Sequence, residues 1–253
     1  MLKIVVSSWF RVWPAAAALL LALSGGGVAE EAHWSYTGAF GPSDWDKADP
    51  SFFMCKAGKN QTPINIVPRF AVTLPPLVFN YGIKGDAVLN NGHTVQVLFP
   101  HGNTLTVDGI LFELVQMHFH TPGENLYAGK AFPMEAHYVH ADKAGNTAVL
   151  AVFFEEGESN ADLAALWAVM PRIAGESKTL PLGFNPLALL PASKEYIYFN
   201  GSLTTPPCSE GVRWYVLKHS VTVGKEQVAV FLKCMGYPNN RPLQEVNARP
   251  VLR

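Results

Sequence analysis

The chain has 253 residues, of which 49% are hydrophobic and 15% charged, and its net charge is −1 at pH 7. This length and composition suffice for one large domain with a sizeable core. The balanced charge excludes the strongly basic surface by which proteins bind nucleic acid.

The first 29 residues have the pattern of a secretory signal peptide. Lys3 and Arg11 precede an apolar run at residues 14–23, and small residues follow up to Ala29. Cleavage after Ala29 is expected, because the run is shorter than the roughly 20 residues that a membrane-spanning helix needs. An uncleaved anchor is the alternative. The sequence therefore predicts a periplasmic or secreted protein without stable membrane insertion, in which residues 30–253 form a single domain.

Short apolar or alternating segments, separated by turns such as Asn91-Gly92, dominate the rest of the chain. They predict a mostly β domain with a few peripheral helices. The predicted strands are residues 87–89, 94–99, 104–107, 112–120, 134–140, 147–154, 196–199 and 212–217. The segment 147–154 is continuously apolar, as expected of a strand buried on both faces. Helices are predicted at residues 159–167 and 225–235.

Three histidines lie on two of these strands with matching parity. His118 and His120 share one strand face because side chains alternate, and His137 lies on the next predicted strand. Three imidazoles with an open fourth position are the ligand set of a catalytic zinc ion, so the sequence predicts Zn²⁺ as cofactor. His140, three residues after His137, is expected to face the other way and to be structural.

Two polar residues have the parity needed to support these ligands. Gln116 shares the face of His118, and Glu135 shares the face of His137. Such groups accept the free ring N–H of a metal-binding histidine and fix its tautomer.

The three cysteines are Cys55, Cys208 and Cys234. An exported chain meets an oxidising compartment, but spacing alone does not choose which two would pair. Cys234 lies in the apolar helical segment 225–235, for which a buried free thiol is the preferred interpretation.

Seven short motifs follow one another along the chain, within a similarity that runs from about residue 34 to residue 249. They are His33-Trp34-x-Tyr36, Gln61-x-Pro63-Ile64-x-Ile66, Asn90-Asn91-Gly92-His93, Gln116-x-His118-Phe119-His120, Glu135-x-His137-x-Val139-His140, Ser202-Leu203-Thr204-Thr205-Pro206-Pro207-Cys208 and Asn240-Arg241-Pro242-x-Gln244. In this order they resemble the α-class carbonic anhydrases in their bacterial secreted form. The resemblance implies a large central twisted, mainly antiparallel sheet with a few short peripheral helices. It also implies reversible hydration of carbon dioxide to bicarbonate and a proton, by attack of zinc-bound hydroxide.

The resemblance assigns further residues to the reaction. It implies that Thr204 orients the hydroxide, that Glu124 accepts the hydrogen bond of the Thr204 hydroxyl, and that Thr205 contacts bicarbonate. It also implies an apolar wall for carbon dioxide, made of Val139, Val149, Leu203, Val212 and Trp214.

A proton route and a disulfide are implied in the same way. His93 resembles the family's proton shuttle. The family's polar groups that hold the intervening waters are matched in this chain by Tyr36, Asn90, Asn91 and Gln96. Secreted bacterial members join the cysteines that match Cys55 and Cys208, which would fix the loop carrying Thr204. Cys234 departs from that two-cysteine pattern.

Two other functions compete with this one. A cupin-type metalloprotein would use His118, His120 and Glu124 as ligands and would favour iron or manganese, but its later Pro-x-Gly-x-x-His motif is missing before His137. A carbonic-anhydrase-like binding domain without activity would usually lack a ligand histidine, whereas all three are present here. A homodimer stays open as an alternative to a monomer.

Overall fold

Eleven strands of one sheet form the centre of the computed structural model, which describes residues 33–253. The predicted signal peptide, residues 1–29, lies outside the described residues. The strands are β1 Asn65–Ile66, β2 Val78–Asn80, β3 Gly85–Asn90, β4 Val95–Leu98, β5 Thr104–Val107, β6 Ile110–His120, β7 Leu126–Tyr127, β8 Met134–Ala141, β9 Thr147–Glu156, β10 Ser177–Phe184, β11 Tyr196–Ser202, β12 Glu210–Leu217 and β13 Val221–Val223. The helices are α1 Trp45–Ala48, α2 Met54–Ala57, α3 Ala161–Val169 and α4 Lys225–Met235, with 3₁₀ turns at Gly38–Phe40 and Pro50–Phe52.

The sheet runs in the order β10-β3-β4-β6-β8-β9-β12-β11, with β5 beside β6, β2 beside β5 and β13 beside β9. All pairs in this sheet are antiparallel except β9 with β12 and β9 with β13. β1 and β7 form a separate parallel pair. The predicted fold class, a mostly β chain around a large, mainly antiparallel sheet with few helices, is confirmed. None of the helices in this part of the chain is long and apolar enough to span a membrane.

Apolar side chains fill both faces of the central strand β9. Leu150 and Val152 belong to a large core cluster on one side. Val149 and Ala151, which alternate with them, belong to a second cluster on the other side. This confirms the prediction, made from its continuous apolar sequence, that the strand is buried on both faces.

A register shift in β6 determines which side chains of its second half face the core and which face the histidine cluster. The pairing with β8 shifts between Leu114 and Gln116. As a result Leu114 packs in the large core cluster, while Gln116 faces the same side as His118. An extra residue at such a bulge reverses which face the following side chains occupy.

The two longer helices pack against each other beside the sheet. Asn160 caps α3 by accepting hydrogen bonds from the backbone N–H groups of Asp162 and Leu163. The Trp167 indole N–H donates to the Gln227 carbonyl oxygen of α4 across 3.0 Å. The prediction for α4 is confirmed, and α3 begins and ends two residues later than predicted.

Both edges of the sheet are interrupted. At one edge β10 contains Pro181 and loses regular register with β3 between Thr179 and Phe184. At the other edge, Leu252 near the C-terminus bridges Tyr198 of β11 through two backbone hydrogen bonds of 3.0 and 2.9 Å. Neither edge therefore presents a long, free row of backbone groups.

Cys55 and Cys208 form a disulfide, and Cys234 is free and half-buried. The bond joins α2 to the loop between β11 and β12, across a sequence separation of 153 residues. It confirms the pairing that the resemblance implied. Cys234 is unpaired, as predicted, but it is half-buried rather than buried.

Reduction of this disulfide is expected to destabilise the fold. A closed loop of this length corresponds to about 5 kcal/mol in the chain-entropy model, taken as an upper value, or a drop in Tm of roughly 10–20 °C. Calorimetry with and without reductant measures it, and Cys234→Ser is the matched control because it removes a thiol without opening the loop. An unchanged Tm in protein shown by peptide mapping to be reduced would contradict this expectation.

Candidate metal centre

Three histidine side chains converge on one face of the sheet. In the antiparallel pair of β6 and β8, His118 lies directly opposite His137, and His120 is the next residue on the same face of β6. One ring nitrogen of each histidine lies within 4.8 Å of those of the other two. The arrangement agrees with the face that parity predicted for all three.

Each histidine uses its other ring nitrogen for a fixed hydrogen bond. His118 Nδ1 donates to Gln116 Oε1 across 2.8 Å, and His137 Nε2 donates to Glu135 Oε1 across 2.9 Å. His120 Nδ1 donates to the carbonyl oxygen of Asn239 across 2.7 Å. The nitrogens left to face one another are therefore Nε2 of His118, Nε2 of His120 and Nδ1 of His137. Such partners orient metal-binding imidazoles and fix their tautomers.

The histidine cluster fits a divalent metal that prefers nitrogen ligands. His120 is buried, yet among residues 33–253 no hydrogen bond reaches its Nε2. Burial lowers the pKa of His120 to about 4, and it lowers the pKa values of His118 and His137 well below their usual range. The rings are thus neutral at pH 7, which is the form that binds metals. A bond to a metal would satisfy this buried, unpartnered nitrogen, and a neutral three-histidine set is suited to form it.

Glu135 is fully buried and supports the cluster through four hydrogen bonds. Its Oε2 accepts the backbone N–H groups of Glu124 and Asn125, both across 2.8 Å. Its Oε1 accepts the Asn125 side-chain amide across 2.7 Å, in addition to His137. Burial raises the pKa of Glu135, and these donors oppose that shift. Its carboxylate therefore holds His137 and also orders the segment that carries Glu124.

Glu124 lies beside the histidines with one of its oxygens unfilled. Its Oε1 accepts the backbone N–H of Arg241 across 2.8 Å. Its Oε2 lies 3.5 Å from His120 Nε2, and within the described chain it accepts no hydrogen bond of regular geometry. Burial raises the pKa of Glu124 to about 8, while the Arg241 N–H and the nearby Thr204 hydroxyl lower it. Thr204 is thus close enough to act on this carboxyl group.

The five predicted wall residues lie together beside the histidines. Val139, Val149 and Trp214 form one row across β8, β9 and β12, because Val139 pairs with Val149 and Val149 with Trp214. Leu203 and Val212 belong to the same apolar cluster. The Trp214 ring packs edge-on against His137 with centroids 4.9 Å apart.

His93 lies on the turn before β4 and stacks on Trp34. The two ring centroids are 3.7 Å apart and the planes differ by 8°. Burial, followed by the charge of His33, lowers the pKa of His93 to about 4. Asn91 Oδ1 accepts the backbone N–H of His93 across 2.9 Å and so fixes the turn.

The other polar residues predicted for the proton route differ in their surroundings. Asn90 is buried, and its amide contacts the carbonyl oxygen of Pro171 across 3.3 Å rather than an open cleft. Gln96 pairs with His118 across the strands, and its Oε1 has no hydrogen-bond partner in the described chain. Tyr36 is buried beside Glu124, and burial raises the pKa of its hydroxyl well above the usual range. The Thr205 carbonyl oxygen accepts the backbone N–H of Cys208 across 2.9 Å.

Residues that sequence reasoning missed complete the surroundings of the site. Asn239 holds His120, and it also accepts the backbone N–H of Thr121 across 2.8 Å. Asn125 holds Glu135. Their positions were not readable from strand parity, because both lie outside the strands that carry the histidines. The motif around Arg241 was the available signal for the C-terminal segment.

Comparisons with known proteins agree with this geometry. The sequence model of the family described as eukaryotic-type carbonic anhydrase matches residues 40–253. A carbonic anhydrase of Neisseria gonorrhoeae is 44% identical over 247 residues, which cover 96% of this chain and 98% of that protein. One from Pectobacterium atrosepticum is 42% identical, over 93% of this chain and 97% of that protein.

Solved structures show the same likeness. The α-carbonic anhydrase of Thermovibrio ammonificans, in complex with the inhibitor sulfanilamide, superposes with a TM-score of 0.85 at 45% identity. That match covers 90% of this chain and all of the other chain, 100%. The cupin alternative is wrong, because cupins are β-barrels, whereas the main sheet of the described residues is long and open.

His118, His120 and His137 are expected to be metal ligands. His140, which lies on the same strand as His137, is not. His140 is buried on the opposite face, where its Nε2 contacts the Tyr81 hydroxyl. His118→Gln, His120→Gln and His137→Gln should each lower metal affinity by about tenfold or more, since even supporting residues contribute this much. His140→Gln should leave affinity unchanged. Competition with a chelator, followed by elemental analysis, measures it. Equal losses in all four variants would contradict the assignment.

Proposed function

The chain belongs to the family of eukaryotic-type carbonic anhydrases, and from this premise we propose that His118, His120 and His137 hold a zinc ion. The chain is accordingly an enzyme, a lyase for the reversible hydration of carbon dioxide to bicarbonate and a proton. The observation that carries the zinc proposal is the set of three converging neutral imidazole nitrogens, each fixed from its far side. A three-histidine set with an open position is a common catalytic zinc site.

When bound, zinc supplies a water of lowered pKa that is nucleophilic at neutral pH, a chemistry for which carbonic anhydrases are the standard example. The chain contributes neutral ligands, so no ligand charge offsets that of the metal. Gln116, Glu135 and Asn239 keep the three rings in place, which limits reorganisation during the reaction.

Glu124 and Thr204 orient the nucleophile. Glu124 Oε1 is already occupied by the Arg241 N–H, so Oε2 is the atom free to accept the Thr204 hydroxyl proton. The positive charge of a metal bound by the adjacent histidines would favour the ionised form of Glu124 against the effect of burial. A hydroxyl that donates to a carboxylate has only its oxygen lone pairs to offer elsewhere. Thr204 Oγ1 then accepts a hydrogen bond from the nucleophile, so that a lone pair of the nucleophile is left directed toward carbon dioxide. Thr205, the next residue, is suited to contact bicarbonate.

The apolar wall suits a substrate without a dipole moment. Carbon dioxide gains nothing from polar groups, so a dry surface beside the metal favours it over water. Val149 and Trp214 are almost fully buried in the wall. Val139 and Leu203 are only partly buried and therefore form its accessible edge.

His93 carries the product proton to solvent in this proposal, through waters held by Tyr36, Asn91 and Gln96. Proton transfer is most effective when the carrier's pKa lies near ambient pH. Stacked on Trp34, His93 has a pKa of about 4 and is neutral at pH 7. It can therefore accept a proton only after the ring has left the stack. The ring is then more exposed, and its pKa returns toward the usual value.

The periplasm or the cell exterior is the proposed location. The disulfide supports this, because such bonds persist in oxidising compartments. The bacterial relatives match almost the full chain. Residues 1–29 act as the signal peptide in this proposal, and residues 30–253 are the enzyme domain.

Zinc content and carbon dioxide hydration, measured together, test the function. The wild-type chain should bind zinc and hydrate carbon dioxide, and an aryl sulfonamide should inhibit it, as the complex of the Thermovibrio relative suggests. Glu124→Gln should keep the zinc and lose about a hundredfold or more of the rate, because misdirected hydrogen bonds at a reacting group carry penalties of this size. An amide can donate to Thr204 and so reverse the direction of its hydroxyl proton.

Thr204→Ala should show a similar defect, and the double variant should be little worse than either single one, since residues that act as a unit are not additive. Elemental analysis and stopped-flow hydration assays give both quantities. If Glu124→Gln lost zinc as readily as the histidine variants, Glu124 would be a ligand and its proposed role would fail.

His93→Ala should slow hydration most in dilute buffer, and added imidazole should restore much of the rate, because a soluble base then replaces the missing carrier. Trp34→Ala should raise the pKa of His93 from about 4 toward its ordinary value, since the stack no longer buries the ring. NMR titration of the ring measures that shift. A loss in His93→Ala that is equal in all buffers would contradict a role in proton transfer.

A further inference from the structure

Arg241 is one of the largest fully buried side chains in the described chain. Its guanidinium group donates from Nη1 to Gln61 Oε1 and to the Thr62 carbonyl oxygen, each across 2.8 Å. Its Nη2 donates to the Cys55 carbonyl oxygen across 2.9 Å. The Trp45 ring covers the group, with its centroid 5.5 Å from the guanidinium carbon. A planar fork of N–H donors is the feature that distinguishes arginine from lysine. The guanidinium group of Arg241 uses this fork to donate three hydrogen bonds.

The same residue contacts Glu124 through its backbone. The Arg241 N–H donates to Glu124 Oε1 across 2.8 Å. Because this bond occupies Oε1, Oε2 is the oxygen that remains available as an acceptor. No acidic side chain in the described chain forms an ion pair with the guanidinium group. Burial lowers the pKa of Arg241 to about 10, and Glu124 at longer range is the main group that opposes this shift.

From Thr62 the hydrogen-bond network continues to Ser202, which ends β11 two residues before Thr204. The Ser202 N–H donates to Thr62 Oγ1 and the Thr62 N–H donates to Ser202 Oγ, both across 3.0 Å. Ser202 Oγ donates to the Leu203 carbonyl oxygen across 2.7 Å. The backbone immediately before Thr204 is thus held by a closed pair of bonds to the residue that Arg241 contacts.

Gln61 closes the network from the far side of that loop. Its Oε1 accepts from Arg241, and its Nε2 donates to the Cys208 carbonyl oxygen across 3.0 Å. Arg241 therefore reaches both disulfide cysteines, Cys55 directly and Cys208 through Gln61.

We infer that Arg241 is a positioning residue that fixes Glu124 and the Thr204 loop relative to each other and carries the constraint of the disulfide to the reacting centre. This inference rests on the roles proposed above for Glu124 and Thr204. Arg241 does not touch the substrate in this account. It acts because a hydrogen bond between two separate segments holds its direction only if both segments are anchored to the same rigid group.

Arg241→Lys tests the inference, because it keeps the charge and removes the fork. It should lower kcat/KM for hydration by about tenfold to a hundredfold, the loss expected of a misplaced catalytic group, with zinc content unchanged. Arg249→Lys is the matched control. Like Arg241, Arg249 donates three side-chain hydrogen bonds, all to backbone carbonyl oxygens, but it is only half-buried and does not contact Glu124 or the disulfide. It should leave kcat/KM unchanged.

The decisive measurement repeats both substitutions in the Thr204→Ala background. If Arg241 acts through Glu124 and Thr204, Arg241→Lys should change the residual activity there by less than about twofold, because coupled residues are non-additive. A merely structural role would lower activity by the same factor in both backgrounds and would overturn the inference. So would unchanged kcat/KM of Arg241→Lys in the wild-type background.

A second variant keeps the test independent of how well Arg241→Lys folds. Gln61→Met removes an acceptor of the guanidinium group and the link to Cys208 while Arg241 stays in place. It should show a smaller loss of kcat/KM than Arg241→Lys, again absent in the Thr204→Ala background, and the opposite pattern would overturn the inference. Full activity of Thr204→Ala itself would instead overturn the proposed role of Thr204, so the two failures are distinguishable.

Discussion

The register between β6 and β8 is the constraint on which the site depends. His118 lies opposite His137, and His120 lies opposite Glu135, so ligands and their support alternate across two neighbouring strands. A slip by one residue would turn the β8 side chains to the other face. The register shift after Leu114 is equally necessary, because it turns Met117 and Phe119 into the core that Leu114 also joins and leaves His118 and His120 on the face of the metal site.

Buried charge is concentrated around this register. Glu135, Arg241 and Glu124 are all almost fully buried, and removing such groups from water carries a penalty of several kcal/mol each. Glu135 is compensated by four hydrogen bonds and the Arg241 side chain by three. Of these three residues, only Glu124 has a side-chain oxygen, Oε2, that accepts no hydrogen bond within the described chain. The incomplete compensation therefore lies where the chemistry needs an oxygen that is free to accept.

The sequence predicted the parts of the fold that have strong periodicity. The strand that carries His118 and His120 alternates polar and apolar residues, and the buried strand β9 is continuously apolar, so both were identified from local pattern. β10 was missed because it contains Pro181 and Gly183 and is mostly exposed, so it has none of the signals of an ordinary strand. Short strands such as β1 and β13 depend on their neighbours rather than on their own residues.

For the site, parity placed the histidines, Gln116 and Glu135 on the correct face without any tertiary information. The groups that surround them from distant segments could not be derived in this way. The Asn239 carbonyl oxygen is a backbone atom, and no side-chain pattern encodes which carbonyl a folded chain will bring to a ring nitrogen. The stacking of His93 on Trp34 likewise joins segments whose distance only the whole fold determines.

The interrupted sheet edges bear on how the protein behaves at high concentration. A flat, unpaired edge strand is a template on which another chain can add a strand and begin to aggregate. Pro181 lacks an N–H donor and breaks that template in β10, while the bridge between Leu252 and Tyr198 occupies part of the opposite edge. The two ends of the main strand order, β10 and β11, thus offer little free backbone to which a strand of another chain could add.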